Sequence, residues 1–288
     1  MILVLTGPTG SGKSELAIEV AKRLDAVIIN ADAFQVYQEL NIATAKPTFE
    51  MRSVVPHYLF DFVPLSSSYN VAEYQLDMRA ALDLCLQQGR NVVIAGGTGL
   101  YIRAALYDYV FSPETPVDLS AFEALGDEEL HAELAKRDPL SAQTIHPHNR
   151  VRALRALALA LSGENMEKRQ QRKAIAPIYP ATFFGLSMER ENVYERVERR
   201  VDVMFEAGLL EETIPLIERY GRDAMAFRAI GVKELFPYID GLATLEETKA
   251  AIKQNTRHYV KRQMTWFRHQ FDLIWVSDAE DVLRYVAS

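Results

Sequence analysis

A glycine-rich loop follows the first apolar run of the chain and restricts the possible folds more than any other feature. Residues 2–5 read Ile-Leu-Val-Leu and predict a buried strand, and residues 7–14 read Gly-Pro-Thr-Gly-Ser-Gly-Lys-Ser. In this G-x-x-x-x-G-K-S pattern, backbone N–H groups surround a phosphate, the lysine adds positive charge and the serine hydroxyl can ligate Mg²⁺. Residues 13–23 have a helical pattern, whose N-terminal dipole would face the same anion. The order of strand, loop and helix therefore predicts a P-loop that binds a polyphosphate.

Later apolar runs predict that the first strand belongs to a parallel sheet. They are continuous rather than alternating, which is typical of strands buried on both faces, and helical patterns separate the early ones. This alternation predicts a doubly wound α/β fold, in which ligands bind beyond the carboxyl ends of the strands. We therefore expect Gly7, Asp32 and Thr98, which follow the first three runs, to converge on one crevice. The predicted strands are residues 2–6, 26–30, 91–95, 182–186 and 273–276, and the early helices are residues 13–23 and about 70–88.

The middle of the chain predicts a helical insertion into this core. A Pro-rich loop at residues 111–120 is followed by helical patterns without a strand-like run, and Gly163 marks a stop after the helical run 150–161. The C-terminal third is also predicted to be largely helical, and Arg196 and Arg200 share a face of one of its helices. The predicted domains are a P-loop-type α/β core over residues 1–110 and 176–288, and a helical insertion over residues 111–175.

Composition restricts the class of protein. The chain has 288 residues, of which 49% are hydrophobic and 25% charged, as in ordinary globular proteins. No apolar run approaches the roughly eighteen residues of a membrane span, and no signal peptide is recognised, so we expect a cytoplasmic protein without a membrane partner. The net charge of −7 disfavours nucleic acid as a partner, but recognition depends on local clusters, here residues 168–173 and 257–262. Cys85, the single cysteine, lies in an apolar helical pattern and is predicted to be buried.

The position of the acidic residue separates this chain from ordinary P-loop NTPases. Those enzymes place an acid after a second apolar strand to hold Mg²⁺, whereas the run 91–95 continues into Gly96-Gly97-Thr98. Here the acid is Asp32, after the second predicted strand. A carboxylate at that position is either a metal ligand or a general base for a nucleophile that attacks the phosphorylated molecule. We favour one of these roles over simple capping of a turn.

Ten segments together resemble one known family nearly end to end. In this order they are similar to segments of the bacterial tRNA dimethylallyltransferases, also called tRNA isopentenyltransferases. The P-loop occurs in many families, but the succession of DAFQVY, TAKPT, GGTGLY and KRQMTWFR is specific. The segments are GPTGSGKS at 7–14, NADAFQVY at 30–37, IATAKPT at 42–48, HYLFD at 57–61, GGTGLYI at 96–102, IHPHN at 145–149, RAL at 155–157, YERVERRVDVM at 194–204, AFRAIGVKE at 226–234 and TRHYVKRQMTWFR at 256–268.

The resemblance implies a reaction and assigns residues to it. A dimethylallyl group would move from dimethylallyl diphosphate to N6 of adenosine 37, beside the anticodon of tRNAs that read U-initial codons, with release of diphosphate. Asp32 resembles the base that accepts the N6 proton, Thr98 the residue that bonds the bridging oxygen, and Gln35 the contact to the adenine. The insertion resembles the module that grips the anticodon stem, so the cluster 168–173 is expected to touch phosphates. Mg²⁺ is the implied cofactor, with Ser14 as its ligand, and a monomer is implied.

Two groups of binding residues follow from the same resemblance. The implied diphosphate-binding residues are Gly7, Pro8, Thr9, Gly10, Ser11, Gly12, Lys13, Ser14, Arg196 and Arg200. The implied tRNA-binding residues are Asp32, Ala33, Phe34, Gln35, Arg228, Ala229, Ile230, Gly231, Lys261, Arg262, Gln263, Met264, Thr265, Trp266, Phe267 and Arg268. The chain departs from the family at Ala33 and Ala158, which replace polar residues and remove possible hydrogen bonds.

Three other functions remain open on the residues alone. A P-loop kinase of small metabolites would leave KRQMTWFR and the helical insertion unexplained. An isopentenyltransferase for free adenine nucleotides would not need the basic surfaces. A non-catalytic RNA-binding protein is disfavoured only by the intact Asp32 and Thr98.

Overall fold

The protein forms two compact units. A computed structural model describes residues 1–111, 117–167, 177–187 and 189–288. Met1–Leu106 and Ile178–Ser288 form the first unit, and Tyr107–Pro177 forms the second.

A six-stranded parallel sheet forms the first unit's centre. The strands are β1 (Ile2–Thr6), β2 (Ala26–Asn30), β3 (His57–Tyr58), β4 (Asn91–Gly96), β5 (Thr182–Leu186) and β6 (Ile274–Val276). Their order is β3-β2-β4-β1-β5-β6, and every pairing is parallel. The predicted α/β fold class and the five predicted strands are confirmed. The sequence patterns missed β3, because two half-buried residues give no periodic signal.

Helices cover this sheet, and local sequence sets where several of them begin. Asn70 and Glu73 form a capping box at the start of α3, and Thr244 and Glu247 form another at the start of α12. In the first unit the helices are α1 (Lys13–Arg23), α2 (Phe49–Val54), α3 (Val71–Gln87), α4 (Gly99–Leu106), α9 (Arg190–Glu206), α10 (Leu209–Tyr220), α11 (Phe236–Ile239), α12 (Leu245–Gln270) and α13 (Ala279–Ala287). In the second unit they are α5 (Ser120–Glu123), α6 (Asp127–Arg137), α7 (Pro139–Thr144) and α8 (Arg150–Leu161).

Each unit has its own apolar core. Leu3 and Leu5 of β1 pack with Val20 of α1, Phe184 of β5 and Val282 of α13 on one face of the sheet. Val4, which points to the opposite face of β1, is also fully buried, so both faces of the central strand are covered. This double coverage explains why the strands read as continuous apolar runs. In the second unit, apolar residues of α6 and α8 form a smaller cluster: Leu130, Leu134, Ala153, Ala156 and Leu157.

Two further predictions concern burial. Cys85 is fully buried in α3, as predicted. Among the helices that the structure describes, none combines the length and apolarity needed to cross a membrane.

Candidate functional site

The P-loop forms a closed turn between β1 and α1. Gly10 and Gly12 have φ values of 78° and 86°, which glycine adopts without strain. The N–H of Ser11 donates to the carbonyl of Pro8 at 3.2 Å, and Lys13 Nζ donates to the same carbonyl at 3.3 Å. The buried hydroxyl of Ser11 has no hydrogen-bond partner among the described residues. The loop therefore holds a lysine and an unpartnered polar group beside the start of a helix.

Positive charge is concentrated next to this loop. Burial and, to a smaller extent, the nearby charge of Arg200 lower the pKa of Lys13 from 10.5 to about 8, whereas Asp32 and Glu15 act in the opposite direction. Burial also lowers the pKa of Arg200. Lys13 and Arg200 are thus two neighbouring cations that are partly shielded from water. An anion bound next to them would stabilise their charged forms.

Arginines of α9 face the P-loop across an open cavity, which we call the arginine cavity. Its volume is about 420 Å³, and its polar lining includes Lys13, Ser14, Arg196, Arg199 and Arg200. The structure thus brings together the two predicted arginines and the P-loop. Arg199 was missed, although its place one helical turn from Arg196 could have indicated it.

Asp32 lies at the carboxyl end of β2. Its Oδ1 accepts hydrogen bonds from the N–H groups of Phe34 at 2.9 Å and Gln35 at 3.4 Å. Its Oδ2 has no hydrogen-bond partner among the described residues. One carboxylate oxygen therefore caps the turn, and the other is available to a ligand.

Thr98 lies beside Asp32, because the segments after β2 and β4 are joined by hydrogen bonds. The N–H of Ala33 donates to Thr98 Oγ1 at 3.1 Å, and the N–H of Thr98 donates to the carbonyl of Ala31 at 3.0 Å. Burial raises the pKa of Tyr259 to about 12, and its interaction with Thr98 acts in the opposite direction. The segment after β2 therefore holds Thr98 through both its hydroxyl and its backbone N–H.

A narrow cavity at the carboxyl ends of the strands joins the P-loop to Asp32, and we call it the central cavity. Its volume is about 60 Å³. Its polar side is formed by Thr9, Lys13, Ser14, Asp32, Gln35 and Arg200, and its apolar lining includes Ala17, Ile28, Pro47, Phe60 and Ala95. A molecule with an anionic head and a short apolar tail matches this lining. The predicted crevice thus exists where the P-loop and Asp32 meet, although Gly7 and Thr98, which were expected there, are not among its lining residues.

A third cavity, which we call the outer cavity, is also lined by Asp32 and has a volume of about 260 Å³. Asp32, Thr9, Thr44 and Arg200 also line the central cavity, so the two cavities share a wall. The outer cavity is also lined by Phe34, Arg228, Ala229, Ile230, Tyr259 and Arg262.

The KRQMTWFR segment lies in α12 and has two different faces. Lys261, Arg262, Thr265 and Arg268 are exposed, whereas Met264 and Trp266 are partly buried. Gln263 is 5% exposed and Phe267 is 1% exposed, so direct contact with RNA does not fit their positions. The same holds for the buried Gly231. Ala229 is buried too, but it lines the outer cavity with the exposed Arg228 and the half-buried Ile230.

Gln263 instead connects two loops of the site. Its Oε1 accepts from the N–H of Thr9 at 3.0 Å, and its Nε2 donates to the carbonyl of Gly97 at 2.9 Å. A Cβ at Gly97 would collide with this amide, which explains why glycine occupies that position. The basic cluster 168–173 lies outside the described residues.

The site offers few protein ligands for a metal. Among the described residues, no group of three or more His, Cys, Asp or Glu could hold a metal ion. The Ser14 hydroxyl lines the central cavity beside Lys13. A single hydroxyl suits Mg²⁺, which keeps several waters and commonly takes its other ligands from phosphate oxygens.

Comparisons with known proteins agree with this geometry. The profile of the IPP transferase family matches residues 35–270. The tRNA dimethylallyltransferase of Anoxybacillus flavithermus is 42% identical over 98% of this chain and 92% of its own length. That of Bacillus subtilis is 41% identical over 95% of this chain and 90% of its own length.

Solved structures are also similar. The tRNA isopentenylpyrophosphate transferase of Bacillus halodurans has a TM-score of 0.76 and 35% identity, covering 99% of this chain and 95% of that chain. A eukaryotic dimethylallyltransferase, solved in snapshots of its action on tRNA, has a TM-score of 0.82 and 26% identity, covering 99% of this chain and 77% of that chain.

Proposed function

The chain belongs to the IPP transferase family, and from this premise we propose that it prenylates tRNA. The substrate is dimethylallyl diphosphate, the acceptor is N6 of adenosine 37 in tRNAs that read U-initial codons, and diphosphate is released. One observation carries the proposal: Lys13 of the P-loop and the Asp32 carboxylate line the same cavity, which has an apolar side. A phosphate loop, a carboxylate and an apolar wall suit the transfer of an apolar group from a diphosphate to a nucleophile.

The leaving group is assigned to the P-loop and the arginine cavity. Charge builds on the diphosphate as the allylic C–O bond breaks, and fixed positive groups lower the free energy of that transition state. Lys13, Arg196, Arg199 and Arg200 supply this charge. Thr98 is assigned to the bridging oxygen, because its hydroxyl can donate there while its oxygen accepts from Ala33.

Asp32 is assigned as the general base that accepts the proton of the attacking amine. Its Oδ1 is occupied by backbone N–H groups, so Oδ2 is the atom that would accept the N6 proton. General-base assistance of this kind contributes about a hundredfold or more to the rate. The adenosine would enter through the outer cavity, which shares Asp32 with the central cavity.

Mg²⁺ is the proposed cofactor, with Ser14 as its protein ligand. When bound, the ion adds positive charge at the diphosphate. The missing acid after β4 fits this role, because a diphosphate leaving group supplies oxygen ligands of its own.

The RNA surface is assigned to exposed cations of the first unit and to the helical insertion. Arg228 and Arg262 line the outer cavity, and Lys261 and Arg268 lie on the exposed face of α12. An adenosine inside an anticodon loop must be unstacked to enter, which costs a few kcal/mol and is offset by contacts in the pocket. Residues 111–175 are assigned to the anticodon stem, and the protein is proposed to act as a cytoplasmic monomer.

The deciding experiment measures transfer of labelled dimethylallyl groups to unmodified tRNA in the presence of Mg²⁺, with ATP hydrolysis measured in parallel. We expect label on the adenosine next to the anticodon and no ATP turnover. ATP turnover without label transfer would overturn the proposal in favour of a kinase. Transfer to free adenine nucleotides but not to tRNA would restrict the acceptor instead.

A further inference from the structure

We propose that Glu212 is a positioning residue that fixes the amide of Gln35 by holding the loop at residues 41–47. The inference rests on the proposed function, because Gln35 is the expected contact to the target adenine. Glu212 belongs to the first turns of α10 and lies far along the chain from both the loop and Gln35.

The first step is the contact between Glu212 and the loop. Its two carboxylate oxygens accept hydrogen bonds from three consecutive backbone N–H groups: Asn41 at 2.9 Å, Ile42 at 2.8 and 3.0 Å, and Ala43 at 3.0 Å. Hydrogen bonds to a charged acceptor are stronger than neutral ones. Because three consecutive N–H groups point to one carboxylate, Glu212 restrains the backbone conformation at residues 41–43.

The second step is the conformation of the loop that Glu212 holds. The N–H of Ala45 donates to the carbonyl of Ile42 at 2.9 Å, and Thr44 Oγ1 donates to the carbonyl of Leu40 at 2.6 Å. Ala45 has a φ of 46°, which is unfavourable for a residue with a side chain. Such a conformation persists only where its surroundings hold it in place, and the Glu212 contacts contribute to that restraint together with the buried Lys46, whose ammonium group donates to Asn41 Oδ1 at 3.3 Å.

The third step connects the loop to Gln35. Gln35 Nε2 donates to the carbonyls of Thr44 at 3.1 Å and Ala45 at 3.2 Å. Two carbonyl oxygens on one side of the amide require the NH₂ group there, so the orientation of the amide is determined by its surroundings. Its Oε1 has no hydrogen-bond partner among the described residues, and Gln35 lines the central cavity.

Gln35 therefore presents an acceptor to a base in the cavity. The exocyclic amine of adenine can donate a hydrogen bond to Gln35 Oε1. Hypoxanthine has a carbonyl oxygen at the same position, so two acceptors would face each other and no hydrogen bond would form. A site that is built around a hydrogen bond rejects analogues that cannot make it. If Glu212 is neutralised, the loop loosens and the amide can rotate to offer its NH₂ group instead.

The test compares Glu212→Gln with Glu211→Gln, a neighbouring exposed carboxylate with no hydrogen bond to the loop. Binding of two anticodon stem-loops is measured without dimethylallyl diphosphate, one with adenosine and one with inosine at the target position. We expect the wild type and Glu211→Gln to bind the adenosine stem-loop more tightly than the inosine stem-loop. In Glu212→Gln the ratio of the two Kd values should fall by about tenfold. An unchanged preference in Glu212→Gln overturns the inference.

A double-mutant cycle separates positioning from general loss of stability. If Glu212 acts through Gln35, adding Glu212→Gln to Gln35→Ala should change kcat on adenosine-containing tRNA little further. Additive losses, or a loss that follows the unfolding midpoint of each variant, would mean that Glu212 is merely structural. Failure of the wild type to prenylate tRNA would instead count against the proposed function.

Discussion

Gln263 accepts a hydrogen bond from the backbone N–H of Thr9 at 3.0 Å, across 254 positions of the sequence. The same amide donates to the carbonyl of Gly97, directly before Thr98. One side chain of α12 therefore joins the P-loop to the loop of the proposed bridging-oxygen donor. The opposite face of that helix carries exposed cations, so the helix links the proposed RNA surface to the proposed diphosphate site.

Replacing Gln263 with leucine should weaken diphosphate binding more than tRNA binding. The variant loses both hydrogen bonds, and one buried donor and one buried acceptor are left unpaired, so we expect KM for dimethylallyl diphosphate to rise by about tenfold or more. Steady-state kinetics with each substrate varied in turn measures the split. Gln254→Leu is the matched control, because Gln254 is exposed on the same helix. A rise in KM for tRNA alone would instead support the assignment of Gln263 to tRNA binding.

The sequence predicted the sheet better than it predicted the roles within the KRQMTWFR segment. Continuous apolar runs identify strands that are buried on both faces, and these strands positioned the P-loop, Asp32 and Thr98 correctly. The segment was interpreted as one surface, but its helical period turns Gln263 and Phe267 inward and leaves Lys261, Arg262, Thr265 and Arg268 outside. A helical projection could have separated the two faces.

Other parts of the site give no local signal in the sequence. Glu212 reaches the loop at residues 41–43 only through tertiary folding, across about 170 positions. Phe60 follows a strand of only two residues, and its place in the central cavity depends on the sheet order. Such contacts depend on how elements pack, which no motif or periodicity specifies.

Lys13→Met should stabilise the ligand-free protein and remove diphosphate binding. The pKa of Lys13 is 10.5 in an unfolded chain and about 8 in the fold, so below pH 8 folding must bury a charged ammonium group. That penalty disappears as the pH rises from about 8 to about 10.5. Lys13 keeps some solvent contact, so we expect the variant to gain about 1 to 3 kcal/mol at pH 7 and less at pH 9.5.

Urea unfolding of wild type and variant at both pH values measures this difference. Lys22→Met, at an exposed position of α1, is the control and should show no such pH dependence. A Lys13→Met protein that is less stable than wild type at pH 7 would contradict the burial penalty. Calorimetric titration with inorganic diphosphate checks that the variant has lost the anion site.

Asp32→Asn should abolish turnover while keeping the fold and tRNA binding. An asparagine Oδ1 can still accept from the N–H groups of Phe34 and Gln35, but the side chain cannot act as a base at neutral pH. We expect kcat to fall by about a hundredfold or more, with the Kd for tRNA within a few-fold of wild type. Single-turnover kinetics and filter binding measure the two quantities. Near-normal turnover would remove the assigned role, and Asp25→Asn controls for loss of a surface carboxylate.

Phe60→Ala should admit a longer prenyl donor. β3 lies three strands from β1, about 14 Å at the usual spacing, so Phe60 lines the central cavity on the side away from the P-loop. Its ring packs edge-on against His57 at a centroid distance of 5.5 Å, and the guanidinium of Arg52 lies 6.0 Å from its centre. The ring is therefore held in place rather than free to swing aside.

Transfer from geranyl diphosphate and from dimethylallyl diphosphate is compared for both proteins. We expect the ratio of the two kcat/KM values to shift toward the longer donor by about tenfold, which is within the range that cavity size controls. Phe49→Ala, at a 77% exposed position of α2, should leave the ratio unchanged. An unchanged ratio in Phe60→Ala would mean that the prenyl tail does not extend toward β3.

Replacing Lys261 and Arg262 with alanine should weaken tRNA binding and reduce its salt dependence. Both side chains are exposed on α12, and the guanidinium of Arg262 lies 5.7 Å from the centre of the Tyr259 ring, at the outer cavity. Each lost phosphate contact lowers the slope of log K against log salt by about 1, so the double variant should lose about 2.

Because the chain has a net charge of −7, loss of any two cations lowers affinity slightly through the long-range field. A control with Lys22→Ala and Lys249→Ala removes the same charge elsewhere and should keep the wild-type slope. Equal slopes in both double variants would place the RNA surface on another face of the molecule.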